Sequence, residues 1–275
     1  MKNLFEQHLR SRSLVTFLIT LLVCAIQQRA QADPPLVRYV QGSYHGFLEL
    51  RSQDGKVLAS GDTTQVVHGD RVTSQTLFTF KDGSTDEETT VFSQHRTFQL
   101  ITDHHIQKGP FFPHPMDVFI DARSGKVTVR SIGKDGKEQV KTDHLQLPPD
   151  LANGMVPLVV ENMGSAAPPK TVSLVVATPK PLVVKLVITK RGEDNYSLVG
   201  SPRKAIHYEI KIELGGVAGI VAPLIGKEPP NIEIWAVRGL APTFVREQGP
   251  IYPDGPIMTI QLASPAWPDS PKSGD

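Results

Sequence analysis

Alternating apolar and polar positions recur along the chain and predict mainly β-structure. The clearest run is IHYEIKIEL, residues 206–214, in which every second residue from Ile206 to Leu214 is apolar. Side chains alternate across a strand, so this pattern places one face in a core and the other in solvent. MDVFID (116–121) and PIMTIQL (256–262) repeat the pattern, and VVKLVIT (183–189) is apolar on both faces, as expected of a more central strand.

Turn sequences at short spacing separate the strand-like segments of the first half. Three Asp-Gly pairs and one Ser-Gly pair supply the positive φ angle that a tight hairpin needs. Segments 57–67 and 71–80 are long for strands of a flat sheet, and long twisted meanders curl because curling removes exposed edges. We therefore predict a mainly β protein, a long antiparallel meander curled into an open or half-closed barrel.

Helical pattern is scarce. The best candidate is PPDLANGMVPLVVENM, which Gly154 and Pro157 interrupt, so we predict one short helix at about 149–163. Residues 33–263 then form a single β-rich domain, with two half-sheets joined near 164–170. Residues 264–275 are rich in Pro, Ser and Asp and are expected to form a flexible tail.

Two proline-rich corners resemble each other. GPFFPHPMDVFI begins at Gly109 and GPIYPDGPIMTI begins at Gly249. Each runs Gly-Pro-apolar-aromatic-Pro, followed by a second proline and an alternating strand. Two related half-sheets or merely two similar corners would each explain the likeness.

Residues 1–32 carry the pattern of a cleaved signal peptide. A basic start precedes an uncharged, mostly apolar run at 13–26, and Ala30-Gln31-Ala32 is a small-x-small cleavage site. The run is shorter than the roughly 20 residues that span a bilayer. We therefore predict an exported protein, periplasmic or extracellular, with a retained anchor or lipidation at Cys24 as alternatives.

The cysteine content and the net charge of the chain argue against several classes of function. Cys24 is the one cysteine, so cleavage after Ala32 leaves no disulfide and no thiolate ligand. Cleavage also removes four basic residues and one acidic residue from totals of 29 and 28, which leaves 25 against 27 and a net charge of −2. Nucleic-acid binding needs clustered positive charge, so we predict no nucleic-acid partner.

The segment from Leu214 to Gly226 is the best functional clue. It has no charged side chain, contains four glycines, and is too short to cross a bilayer. It is a buried crossover, a mobile apolar flap over the mouth of a half-barrel, or a segment that touches a membrane surface. The flap hypothesis connects it to a curled sheet with a concave apolar face, and barrel mouths are common ligand sites.

This hypothesis defines a set of ligand-binding residues that combines the apolar segment with aromatic side chains. The adjacent phenylalanines of GPFFPHP lie in a proline corner, where one of them can face a cavity. The predicted set is Phe111, Phe112, Val217, Ile220, Val221, Leu224, Ile225 and Trp235.

Metal and catalytic motifs are weak. His104 and His105 point to opposite faces of a strand, whereas Asp103 and His105 share a face. His105 and His114 are therefore the candidate ligands for a metal, but no compact zinc-binding spacing supports them. The acidic stretch KDGSTDEE (81–88) lacks a calcium-loop pattern and is expected to be solvated at a hairpin tip.

No nucleophile elbow and no phosphate-binding glycine loop occurs in the sequence. We predict no catalytic residue, no metal and no cofactor. An enzyme remains the alternative, with a carboxylate pair inside the barrel drawn from Glu49, Glu209, Glu213 and Glu233.

The stretch PNIEIWAVRGLAPTFVREQGPIYPDGPIMTIQL (230–262) resembles the closing strands of uncharacterised secreted bacterial proteins built as long antiparallel meanders. The layout of the whole is also similar to the half-open barrels of periplasmic lipoprotein carriers. This resemblance implies a lipid or another apolar small molecule held in a concave sheet, and it transfers no functional residue. The hypothesis is thus an exported, non-catalytic binding protein. The alternatives are an enzyme using His and Glu on the same concave face, or an envelope protein-interaction module with peripheral membrane contact.

Overall fold

The computed structural model divides the chain into two units, residues 1–32 and residues 33–275. The structure describes residues 33–133, 136–164, 166–176, 180–198, 201–213, 229–239 and 242–263, all in the second unit. The signal peptide predicted at 1–32 and the tail predicted at 264–275 lie outside the described residues, and both stay predictions.

Fourteen strands and one short helix make up the described part of the chain. In chain order they are β1 (Tyr44–Arg51), β2 (Val57–His68), β3 (Arg71–Phe80), β4 (Thr85–Gln94), β5 (Phe98–Lys108), β6 (Met116–Asp121), β7 (Lys126–Ile132), β8 (Glu138–His144), α1 (Val156–Asn162), β9 (Lys170–Val176), β10 (Leu182–Leu198), β11 (Ser201–Glu213), β12 (Ile232–Val237), β13 (Thr243–Pro250) and β14 (Ile257–Leu262).

All fourteen strands belong to one sheet, in the order β8-β7-β6-β5-β4-β3-β2-β1-β14-β13-β12-β11-β10-β9. Strands that follow one another in the chain pair antiparallel, except that β8 and β9 stand at opposite ends of the sheet. The β1–β14 ladder, for example Leu48 opposite Leu262, joins the first half to the second. The prediction of a long, unclosed antiparallel meander is confirmed.

Local sequence explains the strands and their turns. In β11 the side chains of Ile206, Tyr208 and Ile210 are buried, as the alternation predicts. Gly55 and Gly83, each after an aspartate, adopt φ angles of 85° and 84° in the β1–β2 and β3–β4 turns. Glycine reaches this left-handed region without the steric penalty that other residues meet.

Helix α1 is shorter than the predicted element at 149–163. Gly154 has a φ angle of 64°, which a continuing helix does not allow, and the helix begins two residues later with a proline in its first turn. Leu151 instead forms a parallel bridge with Ser173 of β9. The carboxamide oxygen of Asn162, at the end of α1, accepts hydrogen bonds from the backbone N–H groups of Arg38 and Tyr39.

The main core shows how the sheet curls. One cluster of buried side chains contains Val118 and Ile120 of β6, Leu186 and Ile188 of β10, and Val159 of α1. Strands β6 and β10 lie near opposite ends of the strand order, so a flat sheet could not bring them together. The sheet therefore wraps around α1 and the loop before it, and both ends pack against that segment.

An ion pair with a buried carboxylate fixes this loop to the end of the sheet. The carboxylate of Asp150, which is fully buried, accepts a hydrogen bond of 2.8 Å from the Ser173 hydroxyl. Lys185 Nζ lies 3.1 Å from the other carboxylate oxygen. The loop thereby covers part of the edge strand β9, which would otherwise expose unpaired backbone groups.

Among the described residues, no helix has both the length and the apolar character needed to cross a membrane.

Candidate binding site on the concave face

The concave face of β3, β4 and β5 carries polar side chains where an apolar core is expected. Antiparallel pairing aligns Thr76, Glu88 and His105 in one cross-strand row, and places Asp103 opposite Thr90 in the next. These side chains point inward, since His105 and Asp103 lie opposite the core residues Val118 and Ile120 of β6. Asp86 and Gln107 form a third row.

Hydrogen bonds connect these rows. His105 Nε2 lies 2.7 Å from Asp86 Oδ1, and Gln107 Nε2 donates to Asp86 Oδ2 at 2.9 Å. The Thr90 hydroxyl donates to Asp103 Oδ1 at 2.8 Å. We call the group formed by Asp86, Glu88, Asp103, His105, Gln107 and Glu247 the acidic cluster.

Glu247 joins this cluster from the far side of the curled sheet. It lies on β13, and its carboxylate interacts electrostatically with that of Glu88 on β4. Gln107 Nε2 also donates a 2.7 Å hydrogen bond to the carbonyl of Ile251, just beyond β13. Strands β5 and β13 therefore approach each other across the concave face, and the strands between them surround the cluster.

Burial changes the acidity of these groups. Burial, with the nearby Glu88 carboxylate, raises the pKa of Asp103 to about 8, and burial alone raises the pKa of Glu247 to about 7. The pKa of Glu88 is also raised, mainly by burial and further by the carboxylates of Asp86 and Glu247, against a lowering by His105. Burial would lower the pKa of His105, but its hydrogen bond to Asp86 and the surrounding carboxylates raise it to about 9.

The acidic cluster lies within the curve of the sheet, and we call this space the hollow. Glu88 and Glu247 are surrounded by enough protein to raise their pKa values, yet both side chains stay partly accessible. Ser74 and Thr76, on the same face of β3, are also only half-buried. Solvent therefore reaches part of the acidic cluster despite its depth.

Next to the acidic cluster lies a packed aromatic group that we call the aromatic wall. Phe78, Phe80 and Phe112 are buried in it, and Phe111 and Tyr252 are half-buried. Phe80 lies 4.2 Å from Phe111 and 5.3 Å from Phe112, measured between ring centroids. Tyr252 lies 5.9 Å from Phe112. Phe78 stands opposite Asp86 in the sheet, so the aromatic wall and the acidic cluster are direct neighbours.

The two proline-rich corners with similar sequences meet in this wall. Phe111 and Phe112 belong to the corner between β5 and β6, and Tyr252 belongs to the corner between β13 and β14. Residues in equivalent sequence positions thus pack against each other where the curled sheet nearly closes. The structure gives the likeness a packing role, without deciding between the two explanations of its origin.

The structure separates the predicted ligand-binding residues. Phe112 is buried in the aromatic wall and Phe111 is half-buried there. The five aliphatic members, Val217, Ile220, Val221, Leu224 and Ile225, lie outside the described residues. Their role in ligand binding stays a prediction, as does that of the two phenylalanines.

Trp235 lies on the other face of the sheet, away from the aromatic wall. Its ring stacks on His207 at a centroid distance of 4.5 Å, and the Arg246 guanidinium lies 4.9 Å from the ring on the neighbouring strand. Its indole N–H donates to Asp194 Oδ2 at 2.7 Å. These contacts account for Trp235 as part of a packed ladder across β11, β12 and β13.

The candidate metal ligands are not brought together. His105 belongs to the acidic cluster, and His114 is exposed in the β5–β6 corner. Within the described ranges, no group of three or more His, Cys, Asp or Glu side chains is arranged to hold a metal ion.

The glutamates proposed as an internal carboxylate pair lie on the outer face. Glu209 and Glu233 do stand opposite each other, but on the face away from Tyr208 and Ile210. The carboxylate of Glu209 is paired with Arg191, and that of Glu233 lies 2.7 Å from His207 Nε2. The alternative of an internal pair is therefore wrong for Glu209 and Glu233, because both lie on the face opposite the buried Tyr208 and Ile234.

Sequence reasoning missed the inward position of Glu88, Glu247 and Gln107. The stretch 81–88 was expected to be solvated at a hairpin tip, and Asp82 is indeed exposed, but Asp86 and Glu88 face the hollow. A usable signal was present in the shared spacing of Asp86-x-Glu88-x-Thr90 and Asp103-x-His105-x-Gln107, two polar sets on adjacent strands.

Comparisons with known proteins find a similar backbone fold but no similar sequence. No protein-family model matches the sequence, and no curated protein matches it significantly. A crystal structure of a beta-barrel-like protein of domain of unknown function DUF1849 from Brucella abortus is similar, with a TM-score of 0.44 and 9% sequence identity. The match covers 84% of this chain and 98% of the other.

Proposed function

We propose that this chain is an exported binding protein that holds a lipid or another apolar molecule with a polar end in the concave face of its sheet. The observation that carries this proposal is that Glu88 and Glu247, deep in the concave face, stay partly accessible to solvent beside the aromatic wall. An apolar body would lie on the half-buried rings of Phe111 and Tyr252, and a polar end would reach Glu88 and Glu247.

Energetics favour a binding role over a purely structural one. Placing carboxylates inside a protein costs free energy, and well-packed apolar side chains at the same positions are often as stabilising or more so. Strongly shifted pKa values in a concave site are typical of functional groups. The inward Glu88, Asp103 and Glu247 are therefore better explained by what they bind than by what they stabilise.

Export is the second part of the proposal and rests on the pattern of residues 1–32. It is tested by expressing the full chain with its own leader and measuring the intact mass of the product. Cleavage after Ala32 is the expected result, and an uncleaved or lipid-modified chain would contradict it.

An acid–base enzyme on the same face is the second candidate. It is favoured by the pKa values of Asp103 and Glu247, about 8 and about 7, which let these carboxyl groups exchange protons near neutral pH. Native mass spectrometry of the protein purified from cells separates the candidates. A bound small molecule that co-purifies unchanged supports a carrier, whereas a ligand converted on incubation supports an enzyme.

Binding is tested by titration calorimetry with decanol, whose apolar chain matches the aromatic wall. The variant Thr76→Trp places a bulky ring into the hollow, and Gln75→Trp places the same ring on the outer face of the same strand. We expect Thr76→Trp to weaken decanol binding by about tenfold or more, and Gln75→Trp to leave it nearly unchanged.

Circular dichroism checks that both variants fold, and Ser74→Phe replaces Thr76→Trp if the latter does not. Failure of the wild-type protein to bind decanol would refute the proposal. Equal binding by the inward and outward variants would also refute it, because the ligand would then lie elsewhere.

A further inference from the structure

The acidic cluster has more hydrogen-bond acceptors than donors. Asp86, Glu88, Asp103 and Glu247 contribute carboxylates, and Gln107 contributes an amide oxygen. The donors that face them are already engaged: His105 Nε2 with Asp86, the Thr90 hydroxyl with Asp103, and the Gln107 amide N–H groups with Asp86 and the Ile251 carbonyl. These engagements leave at least one acceptor of the cluster without a donor, namely Gln107 Oε1.

Gln107 carries the acceptor that lacks a donor. Its side chain is 1% exposed, and its Oε1 has no hydrogen-bond partner among the described residues. The amide orientation is fixed, because reversing it would turn the oxygen toward the Asp86 carboxylate and the Ile251 carbonyl. A buried carbonyl oxygen without a donor is destabilising, and native proteins rarely keep one.

The charges of the acidic cluster also favour a ligand that donates hydrogen bonds. Four carboxyl groups face one histidine in this part of the concave face. A cation that donates hydrogen bonds would balance the charge and also satisfy Gln107 Oε1. The described carboxylates and histidines do not converge as a metal site, so an ion that needs several ligands at one point does not fit.

We propose that the acidic cluster binds a primary ammonium group, carried at the end of an apolar chain that lies on the aromatic wall. This inference rests on the proposed function and specifies its polar end. An ammonium group is a compact charge with three N–H donors, enough for Gln107 Oε1 and two carboxylates. A quaternary ammonium has the charge without the donors, and an alcohol has a donor without the charge.

The test uses titration calorimetry of the full-length mature protein at pH 7.5 with decylammonium, decyltrimethylammonium, decanol and butylammonium, below micelle-forming concentrations. We expect decylammonium to bind about tenfold or more tightly than decyltrimethylammonium, since hydrogen bonds between charged groups are the strong ones. Glu88→Gln should remove most of this preference. Glu87→Gln, the adjacent carboxylate on the outer face of β4, is the matched control and should retain it.

The four probes separate this inference from the proposed function. Equal affinity for all decyl probes would overturn the ammonium site while leaving the apolar-ligand proposal in place. Binding of butylammonium that depends on Glu88, without binding of decanol, would support the ammonium site and refute the apolar-ligand proposal. Absence of binding by every probe would overturn both.

Glu247→Gln serves as a second variant if Glu88→Gln does not fold. It neutralises the carboxylate that approaches from β13, on the opposite side of the hollow. An unchanged ammonium preference in both variants would overturn the assignment of the head-group site to this cluster.

Discussion

Removing the carboxyl charge of Glu247 is expected to stabilise the protein in a pH-dependent way. Burial raises the pKa of Glu247 from its ordinary value of 4.5 to about 7 in the folded chain. The folded state therefore holds this proton more tightly than the unfolded state does. The contribution of Glu247 to the free energy of unfolding is therefore fully present below pH 4.5 and is lost as the pH rises to about 7.

The size of the effect follows from the two pKa values. A difference between 4.5 and about 7 corresponds to at most about 3 kcal/mol, because one pH unit of difference corresponds to about 1.4 kcal/mol. The side chain keeps partial solvent access, which screens the charge and reduces this figure. Glu247→Gln resembles the protonated form in shape and cannot ionise, so it should escape this loss.

The assay is chemical unfolding of wild type and Glu247→Gln at pH 4, 6 and 8. We expect nearly equal stabilities at pH 4 and an advantage of the variant at pH 8 of up to about 3 kcal/mol. Glu87→Gln on the outer face controls for general effects of charge removal. A variant whose advantage does not grow with pH, or that is less stable than wild type at pH 8, would refute the placement of Glu247 in a low-polarity interior.

Three further predictions concern the same interior. Gly154→Ala should destabilise the protein by about 3 kcal/mol in thermal unfolding, because the φ angle of Gly154 is 64° and a Cβ atom there would overlap the Thr90 hydroxyl; an unchanged Tm would contradict this packing. Lys185→Met should cost about 2 kcal/mol in chemical unfolding, since it leaves the Asp150 carboxylate buried without its cation, and adding Asp150→Asn should recover part of the loss; no recovery would mean that the pair is not coupled. The affinity for decylammonium, measured by calorimetry, should rise from pH 6 to pH 8. Over this range Glu247 and Asp103, with pKa values of about 7 and about 8, lose protons beside Asp86 and Glu88, while His105 stays charged because its pKa is about 9. An affinity that does not change with pH would contradict this prediction.

The strands were predictable because their signals are local. Alternation from Ile206 to Ile212 depends only on the geometry of one strand, and the Asp-Gly turns at Gly55 and Gly83 depend on one backbone angle. The antiparallel meander then follows, because consecutive strands joined by tight turns pair with each other. The pairing of β1 with β14 had no such local signal, since about 200 residues of sequence separate the two strands.

The site was less predictable because it depends on how the sheet curls. Sequence spacing placed Asp103 and His105 on one face, and the structure confirms this relation. It did not indicate which face becomes concave, so inward Glu88 was expected in solvent, and outward Glu209 was kept as a candidate for an internal carboxylate pair. The choice is made by distant packing against α1 and by strand β13, which brings Glu247 to the cluster.

The strand order makes the chain suitable for circular permutation. Of the ladders that the structure describes, β1–β14 alone joins strands that are distant in sequence, and the segment between β8 and β9 alone connects strands that are not neighbours. A circular permutant that links residue 263 to residue 44 and opens in this segment would therefore have every ladder formed by consecutive strands. Such a chain replaces its one long-range ladder by a hairpin and should refold faster than the natural order, since long loops slow the formation of the contacts that close them.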